Sequence, residues 1–446
     1  MRYFLDPFGC AKNQVDAEHM MAHLDSAGWA AAPDAEAADL IIVNSCGFIE
    51  SAKQESINAV LGWHRQYPDK KIILAGCLSQ RYANELSGSL PEADGLFGNT
   101  AIAGIVDAAS RALGLKTKPG KASAAFSRPL LSPSGSAYVK ISEGCNNHCS
   151  FCAIPLIRGG LRSRSVQDIL EECRGLLDRG VRELCVIGQD TGSFGTDRSA
   201  VSALPALLEA IASLAGRFWV RLLYIHPDHF PLPILDIIEQ DARFLPYFDI
   251  PFQHASPKIL SAMNRRGTAE SYLALLETIR RRLPGAVIRS TFLLGFPGET
   301  DEDFAALLDF QEKARADWLG CFSYSREEGT AAYAMKGRVL KKTALERKRI
   351  IEERQIPITE KNMERFVGRT MDLLVEEQFE NPTADTGIGD ESLFLGRLYC
   401  HAPEVDGAAV IVSDKESAAK LKPGDMVSGK IIARRGFDLE LRIKGQ

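Results

Sequence analysis

Short apolar runs separated by amphipathic stretches set the rhythm of the first hundred residues. RYFL (2-5), DLIIVN (39-44) and KIILA (71-75) are strand-length, and helical patterns follow near 14-28, 51-66 and 79-87. Strands alternating with helices predict parallel pairing, so residues 1-113 read as an N-terminal open parallel α/β domain. Residues 114-136, GLKTKPGKASAAFSRPLLSPSGS, have no sustained period and are rich in Gly, Pro, Ser, Ala and Lys, which predicts a linker.

The rhythm returns in a longer form over 137-365. AYVKIS (137-142) and candidate strands at 183-187, 219-225, 247-252, 287-293 and 319-323 make six βα units with no clear seventh or eighth. An open, partial (β/α)6 barrel is expected rather than a closed eight-fold one. A charged helix over about 341-364 should then lead away, interrupted or kinked at Pro357. From 366 to 446 the pattern shortens to alternating runs, MDLLVEE, LFLGRLY, AAVIVS, MVSGKIIAR and FDLELRI, between turn signals such as KPGD. These predict a small all-β barrel or sandwich. The fold class is therefore α/β with a terminal β module, and 446 residues accommodate the three units.

Composition adds exclusions. With 45% hydrophobic and 25% charged residues the chain is an ordinary globular one, and its net charge of -5 argues against a protein dominated by nucleic-acid binding. No apolar run reaches the roughly 18 residues of a membrane helix, and MRYFLDPFGC lacks the features of a secretory signal, so a cytoplasmic location is expected. Ten cysteines in a reducing compartment then point to metal binding, redox chemistry or buried thiols rather than disulfides.

Two sets of cysteines stand out. Cys145, Cys149 and Cys152 form a C-x3-C-x2-C triplet in EGCNNHCSFC, just after the first strand of the central domain. Three thiolates around a cubane iron-sulfur cluster leave one iron open to a substrate or cofactor. A zinc site would need a fourth ligand, for which His148 is the local candidate. Cys10, Cys46 and Cys77 each fall directly after one of the three N-terminal strands, in FGCAKN, NSCGF and AGCLS. In an open parallel sheet those loops line one crevice, so the three can meet there as a second cluster site. A catalytic thiol pair or plain core cysteines are the alternatives. Cys173, Cys185, Cys321 and Cys400 are isolated within element patterns and read as buried packing residues.

The triplet, with Phe151 just before its last cysteine, at the first strand of a partial barrel, resembles the S-adenosylmethionine (SAM) radical enzymes. The three upstream cysteines and a terminal β module of the TRAM type narrow the resemblance to the methylthiotransferases, and it runs from about residue 3 to the C-terminus. One branch of that family modifies tRNA adenosines. The other modifies an aspartate of the small-subunit ribosomal protein S-twelve, and GCAKNQVDAE (9-18), QDTGSFG (189-195), YIHPDHF (224-230), FDIPFQHAS (248-256), GFPGETDEDF (295-304) and YSREEGTAA (324-332) are similar to it. Ala11 stands where proline is common there, and Gly188 where alanine is common.

The resemblance implies two [4Fe-4S] clusters, on Cys145, Cys149 and Cys152 and on Cys10, Cys46 and Cys77, and two uses of SAM. One molecule methylates the sulfur to be inserted, and another supplies the radical that takes hydrogen from the aspartate β-carbon. It also implies an electron donor and working proximity to ribosomal RNA. Phe151, Gln189 and Asp190 are candidate cofactor contacts, with packing or a strand-end turn as the alternative for each. His226, Asp228, His229 and His254 sit similarly after strands. From Phe366 onward 10 Lys+Arg stand against 14 Asp+Glu, and such an acidic module suits a basic protein partner better than tRNA. The competing readings are a tRNA adenosine methylthiotransferase and a non-catalytic, zinc-stabilised RNA-binding protein.

Overall fold

The computed structural model describes residues 1-115, 128-379 and 392-443. The N-terminal sheet has five parallel strands in the order β2-β1-β3-β4-β5: β1 (Arg2–Pro7), β2 (Ala30–Ala31), β3 (Leu40–Ser45), β4 (Lys71–Gly76) and β5 (Gly95–Phe97). Helices α1 (Ala11–Ser26), α2 (Glu50–Gln66), α3 (Cys77–Ser89) and α4 (Ile105–Ala112) cover it. β3 is buried at all six positions because apolar cores lie on both faces.

Six parallel strands form the central sheet: β6 (Ser136–Lys140), β9 (Glu183–Ile187), β10 (Trp219–Leu222), β11 (Phe244–Asp249), β12 (Val287–Leu294) and β13 (Trp318–Ser323). Their order is β13-β12-β11-β10-β9-β6, and β6 and β13 do not pair, so the sheet stays open. A two-stranded ribbon, β7 (Ser142–Glu143) with β8 (Arg162–Ser163), and the short helix α5 (Ile154–Arg158) bracket the triplet. Helices α6 (Val166–Asp178), α7 (Leu204–Ala212), α8 (Ile234–Gln240), α9 (Pro257–Ala262), α10 (Ala269–Arg282) and α11 (Asp301–Ala314) follow.

Helix α12 (Lys341–Glu364) runs unbroken through Pro357. Ala344, Arg347, Ile351, Gln355, Ile358 and Met363 recur at helical spacing on its buried face, which packs on β13. Tertiary burial on both sides of the proline outweighs its missing N–H, so the expected interruption does not occur and the helix does not lead away.

The C-terminal strands β14 (Thr370–Gln378), β15 (Ser392–Leu398), β16 (Ala409–Ser413), β17 (Met426–Arg435) and β18 (Asp438–Arg442), with the short α13 (Lys415–Ala418), close as a barrel in the order β14-β15-β16-β18-β17. The barrel, not the sandwich, is the form adopted. It seats against the inner face of the open sheet: Tyr138, Cys185 and Tyr247 share one apolar core with Leu373, Cys400 and Leu439. Alternate residues Ala137, Val139, Leu184 and Val186 face the helices instead. A buried polar network crosses this seam. Arg397 donates to Glu183, to Ser136 Oγ (2.7 Å) and to Glu376 (2.6 Å), while Arg221 Nε donates to Glu183 (2.7 Å).

Residues 116-127 of the expected linker lie outside the described residues, but those from 128 onward are tied down. Arg128 is buried and paired with Glu18 of α1 and Glu172 of α6, and Leu131 N donates to Glu18. Four of the C-terminal module's acidic residues, Glu380, Asp385, Asp390 and Glu391, also lie outside the described residues. The expected acidic surface therefore falls largely on residues whose placement is not described, and Asp406 is buried against Arg289 and Tyr247. Among the described residues, no helix is long and apolar enough to cross a membrane.

Candidate cofactor site between two cysteine sets

Strands β1, β3 and β4 end on one edge, and Cys10, Cys46 and Cys77 follow them there. Gly9 and Gly76 both have φ of +94°, and a Cβ on Gly76 would lie 2.7 Å from the Ser45 carbonyl oxygen, so glycine lets the strand ends crowd together. Cys10 caps α1 and Cys77 opens α3, so both thiols stand at helix N-termini, where the backbone favours a thiolate. Cys77 Sγ accepts from Asn99 Nδ2 and from Arg158, each at 3.3 Å. Burial pushes the Cys46 thiol up to about 12, and the charges of Cys10 and Cys77 add to the rise. Cys10 is exposed at its own surface; the surrounding protein still desolvates its thiol, but Lys12 and Arg158 outweigh this and leave it below its ordinary value.

The loop of Cys145, Cys149 and Cys152 runs from β7 to α5. Gly144, with φ of +70°, opens it, because a Cβ there would meet the Gly160 carbonyl at 2.1 Å. Asn147 N donates to Cys145 Sγ at 3.4 Å, and the Asn147 side chain is held by Asp190 Oδ2 at 2.9 Å. Burial raises Cys145 to about 11 and Cys152 to about 12. His226 Nε2 lies 3.9 Å from Cys149 Sγ, whereas His148 is exposed and only its backbone carbonyl is engaged, by Asn264. Among the described residues no three His, Cys, Asp or Glu side chains converge closely enough for a single metal ion.

A cavity of about 240 Å³ opens beside the second set; Cys10, Cys46 and Cys77 do not line it, but Lys12 and Phe48, each two residues after one of them, do. Cys145, Cys149, Cys152, Phe151, Gln189, Tyr224, Gln253 and Arg265 line it from the central domain, and Lys12 and Phe48 from the N-terminal one. Gln189 Nε2 is buried there without a partner. Phe151 also packs against the core of Met263, Leu293 and Phe296. Tyr224 (φ +62°) and Gln253 (φ +69°) adopt a left-handed backbone that side chains avoid, a strain retained at this cavity wall.

Asp190 has a different setting from Gln189. It accepts from Gly192 N, His226 N, Asn147, Ser193 Oγ and His229 Nδ1, so its oxygens are occupied in holding the cysteine loop and the histidine turn. Burial would raise its carboxyl, but the His229 and Ser193 hydrogen bonds dominate and hold it near about 2. Asp228 caps the backbone of Arg266 and Gly267. His254 is fully buried, and burial lowers it to about 4. Glu299, at the end of the Gly-Phe-Pro-Gly-Glu turn, accepts from Gly295 N and Phe296 N and pairs with Arg347.

Sequence patterns did not single out Lys12, Arg158, Tyr224, Gln253 or Arg265. Lys12, Tyr224 and Gln253 lie within stretches that carry the family resemblance, which was the one signal available for them. Arg158, at the end of α5, links the domains: it donates to Asp16 (2.8 Å), Glu143 (2.7 Å) and Cys77. Cys173, Cys185, Cys321 and Cys400 are buried within their elements, as packing residues.

Known proteins match this arrangement along the chain. Family models match residues 2–98 (Uncharacterized protein family UPF0004), 139–310 (Radical SAM superfamily) and 367–443 (TRAM domain). The "Ribosomal protein uS12 methylthiotransferase RimO" of Treponema denticola is 46% identical over 98% of this chain and 99% of its own. Proteins of the same name from Syntrophomonas wolfei (41% identical; 97% of both chains) and Aquifex aeolicus (40%; 97% of this chain, 94% of the other) match likewise. Among solved structures, the radical S-adenosylmethionine methyltransferase TsrM from Kitasatospora setae, with cobalamin and a [4Fe-4S] cluster bound, superimposes with a TM-score of 0.54 at 15% identity. It covers 74% of this chain and 76% of its own, a likeness of fold. With near-complete coverage at such identity, the chain belongs to the RimO family of ribosomal protein uS12 methylthiotransferases.

Proposed function

We propose that this protein adds a methylthio group to the β-carbon of an aspartate in ribosomal protein uS12, using SAM and two [4Fe-4S] clusters. Cys145, Cys149 and Cys152 would hold the radical cluster and Cys10, Cys46 and Cys77 the auxiliary one. The observation that carries this reading is the cavity lined by Cys145, Cys149 and Cys152 and closed from the N-terminal domain by Lys12 and Phe48, close neighbours of Cys10 and Cys46. Soft thiols with N–H donors on Cys77 and Cys145 are the donor set and surroundings that iron-sulfur clusters take.

When bound, the clusters and SAM supply the radical and the sulfur that attack on an unactivated C–H bond requires. The chain's own residues do the rest. Asp190 fixes Asn147 and thereby the cysteine loop. Gln189 offers an unsatisfied amide donor, and Phe151 an apolar wall. Gly9, Gly76 and Gly144 permit the close backbone approaches on which the cysteine loops depend. The substrate must approach in the cytoplasm, where ribosomes are assembled, and an electron donor and nearby ribosomal RNA complete the expected surroundings.

Two measurements test the reading. Anaerobic reconstitution should give about eight irons per chain, falling to about four in C46A; stoichiometric zinc without iron would support the non-catalytic alternative. Mass spectrometry of a strain lacking the protein should show uS12 without its methylthio group and tRNA nucleosides unchanged. Loss of a tRNA methylthio-adenosine with uS12 intact would move the protein to the tRNA branch.

A further inference from the structure

Lys12 is a buried cation that faces no carboxylate, although its charge acts on the Cys10 thiol. It is 6% exposed and lines the cavity that Cys145, Cys149 and Cys152 also line. Arg128, Arg158, Arg221, Arg347 and Arg397, also buried, each face a carboxylate. Among the described residues the Lys12 ammonium has no hydrogen bond or ion pair; it sits 3.2 Å from the centroid of the Tyr224 ring. The left-handed backbone of Tyr224 brings that ring beneath it. A cation-π contact holds the ammonium at the cavity wall while leaving its hydrogen-bonding capacity unused. Protein interiors seldom retain such a charge unless a ligand completes it.

Arg265, the other cation of this cavity, is placed differently. Its guanidinium donates to the Pro251 carbonyl at 2.7 Å and acts on Cys149 and His226. It therefore belongs to the radical-cluster end, and Lys12, two residues after Cys10, to the opposite end.

An aspartate whose β-carbon is to receive sulfur from the N-terminal set must bring that carbon to the Lys12 end. Its carboxylate is bonded to the same carbon, so the negative charge enters the cavity with it. We propose that Lys12 receives the target aspartate's carboxylate and is the residue by which the enzyme selects aspartate over its uncharged amide. The inference rests on the uS12 reading above. It predicts charge discrimination, which that reading alone does not require.

The test uses holoenzyme loaded with both clusters and two probes: purified uS12, and uS12 with its target aspartate changed to asparagine. A charge-assisted hydrogen bond lost from a buried site weakens binding by roughly 10- to 100-fold. Wild-type enzyme should therefore bind the asparagine probe at least about 10-fold more weakly than uS12 in an equilibrium titration. K12M should bind both probes equally, at the level of the weaker one, and K12R should keep part of the preference. Iron content and cluster spectra report whether each variant is loaded. If K12M does not load, the wild-type comparison still decides, because equal binding of the two probes by wild-type enzyme overturns the proposal. A loaded K12M that keeps the wild-type preference overturns it too. If wild-type enzyme leaves uS12 unmodified, the functional reading itself has failed, which is a separate outcome.

Discussion

Replacing Arg397 by methionine tests how the terminal barrel is fastened to the open sheet. Arg397 lies on β15, and its guanidinium reaches Glu183, Ser136, Glu376 and the His401 carbonyl. Glu183 is fully buried, so burial alone would raise its carboxyl; Arg397 and then Arg221 outweigh this and bring it from 4.5 to about 2. Removing one partner of a buried pair costs about 3–5 kcal/mol; because Arg221 still holds Glu183 in the variant, the lower end, about 3 kcal/mol, is expected. For a unit of the size of the central domain, that amounts to a fall of roughly 6–12 °C in Tm. The sign of the pH dependence follows from the depressed carboxyl. Its contribution is complete above pH 4.5 and is lost as the pH falls toward about 2. Thermal unfolding of wild type and R397M should therefore show a constant gap from pH 5 to 7 that narrows below pH 4.5. R397K should recover little, since one ammonium cannot span Glu183 and Glu376 as the fork does. A gap under 1 °C at pH 7, or one that persists unchanged to pH 3, would refute the reasoning.

Three smaller perturbations probe other elements. G76A places a Cβ 2.7 Å from the Ser45 carbonyl at φ of +94°; it should lower stability by about 1–3 kcal/mol and reduce iron retention, and wild-type values for both would contradict the crowding argument. P357A restores an N–H in the interior of α12 and should raise Tm by an amount equivalent to up to about 3 kcal/mol, whereas an unchanged or lower Tm would show that the proline is unstrained. D190N removes the hydrogen bond that, ahead of opposing burial, raises the His229 imidazole, so NMR titration should find that histidine's pKa lower than in wild type. Because a raised histidine stabilises below its unfolded pKa and loses that contribution as pH rises through the folded one, the variant should be weakest relative to wild type at acid pH. An unmoved titration would sink the assignment.

Much of this architecture was legible in the pattern of apolar positions. β1, β3 and β4 showed as short apolar runs because cores press on both faces of the sheet. β2 and β5, of two and three residues at the sheet edges, carry no period long enough to read. Helix α4 is only eight residues long, shorter than the window over which a helical period can be counted. Pro357 misled because a local rule was applied where packing on β13 decides. The two cysteine sets were readable since strand ends fix where a loop residue stands. Lys12 and Arg265 were not, because what a charged tip meets shows only when its surroundings are known. The acidic count of the terminal module was sound as arithmetic, but 380-391 holds much of its excess.

Arg158 has a consequence for how the protein is made. The N-terminal domain leaves the ribosome with all three of its cysteines, yet the guanidinium that donates to Cys77 arrives with α5 of the next domain. Until the two domains dock, Cys77 lacks that donor, and Asp16 lacks both of its cationic partners, Lys140 and Arg158. The first cysteine set is thus finished by the second domain. On the proposed function, iron delivery to both sets would be a late event on a docked pair of domains, and an isolated N-terminal fragment would carry its three thiols without the Arg158 guanidinium.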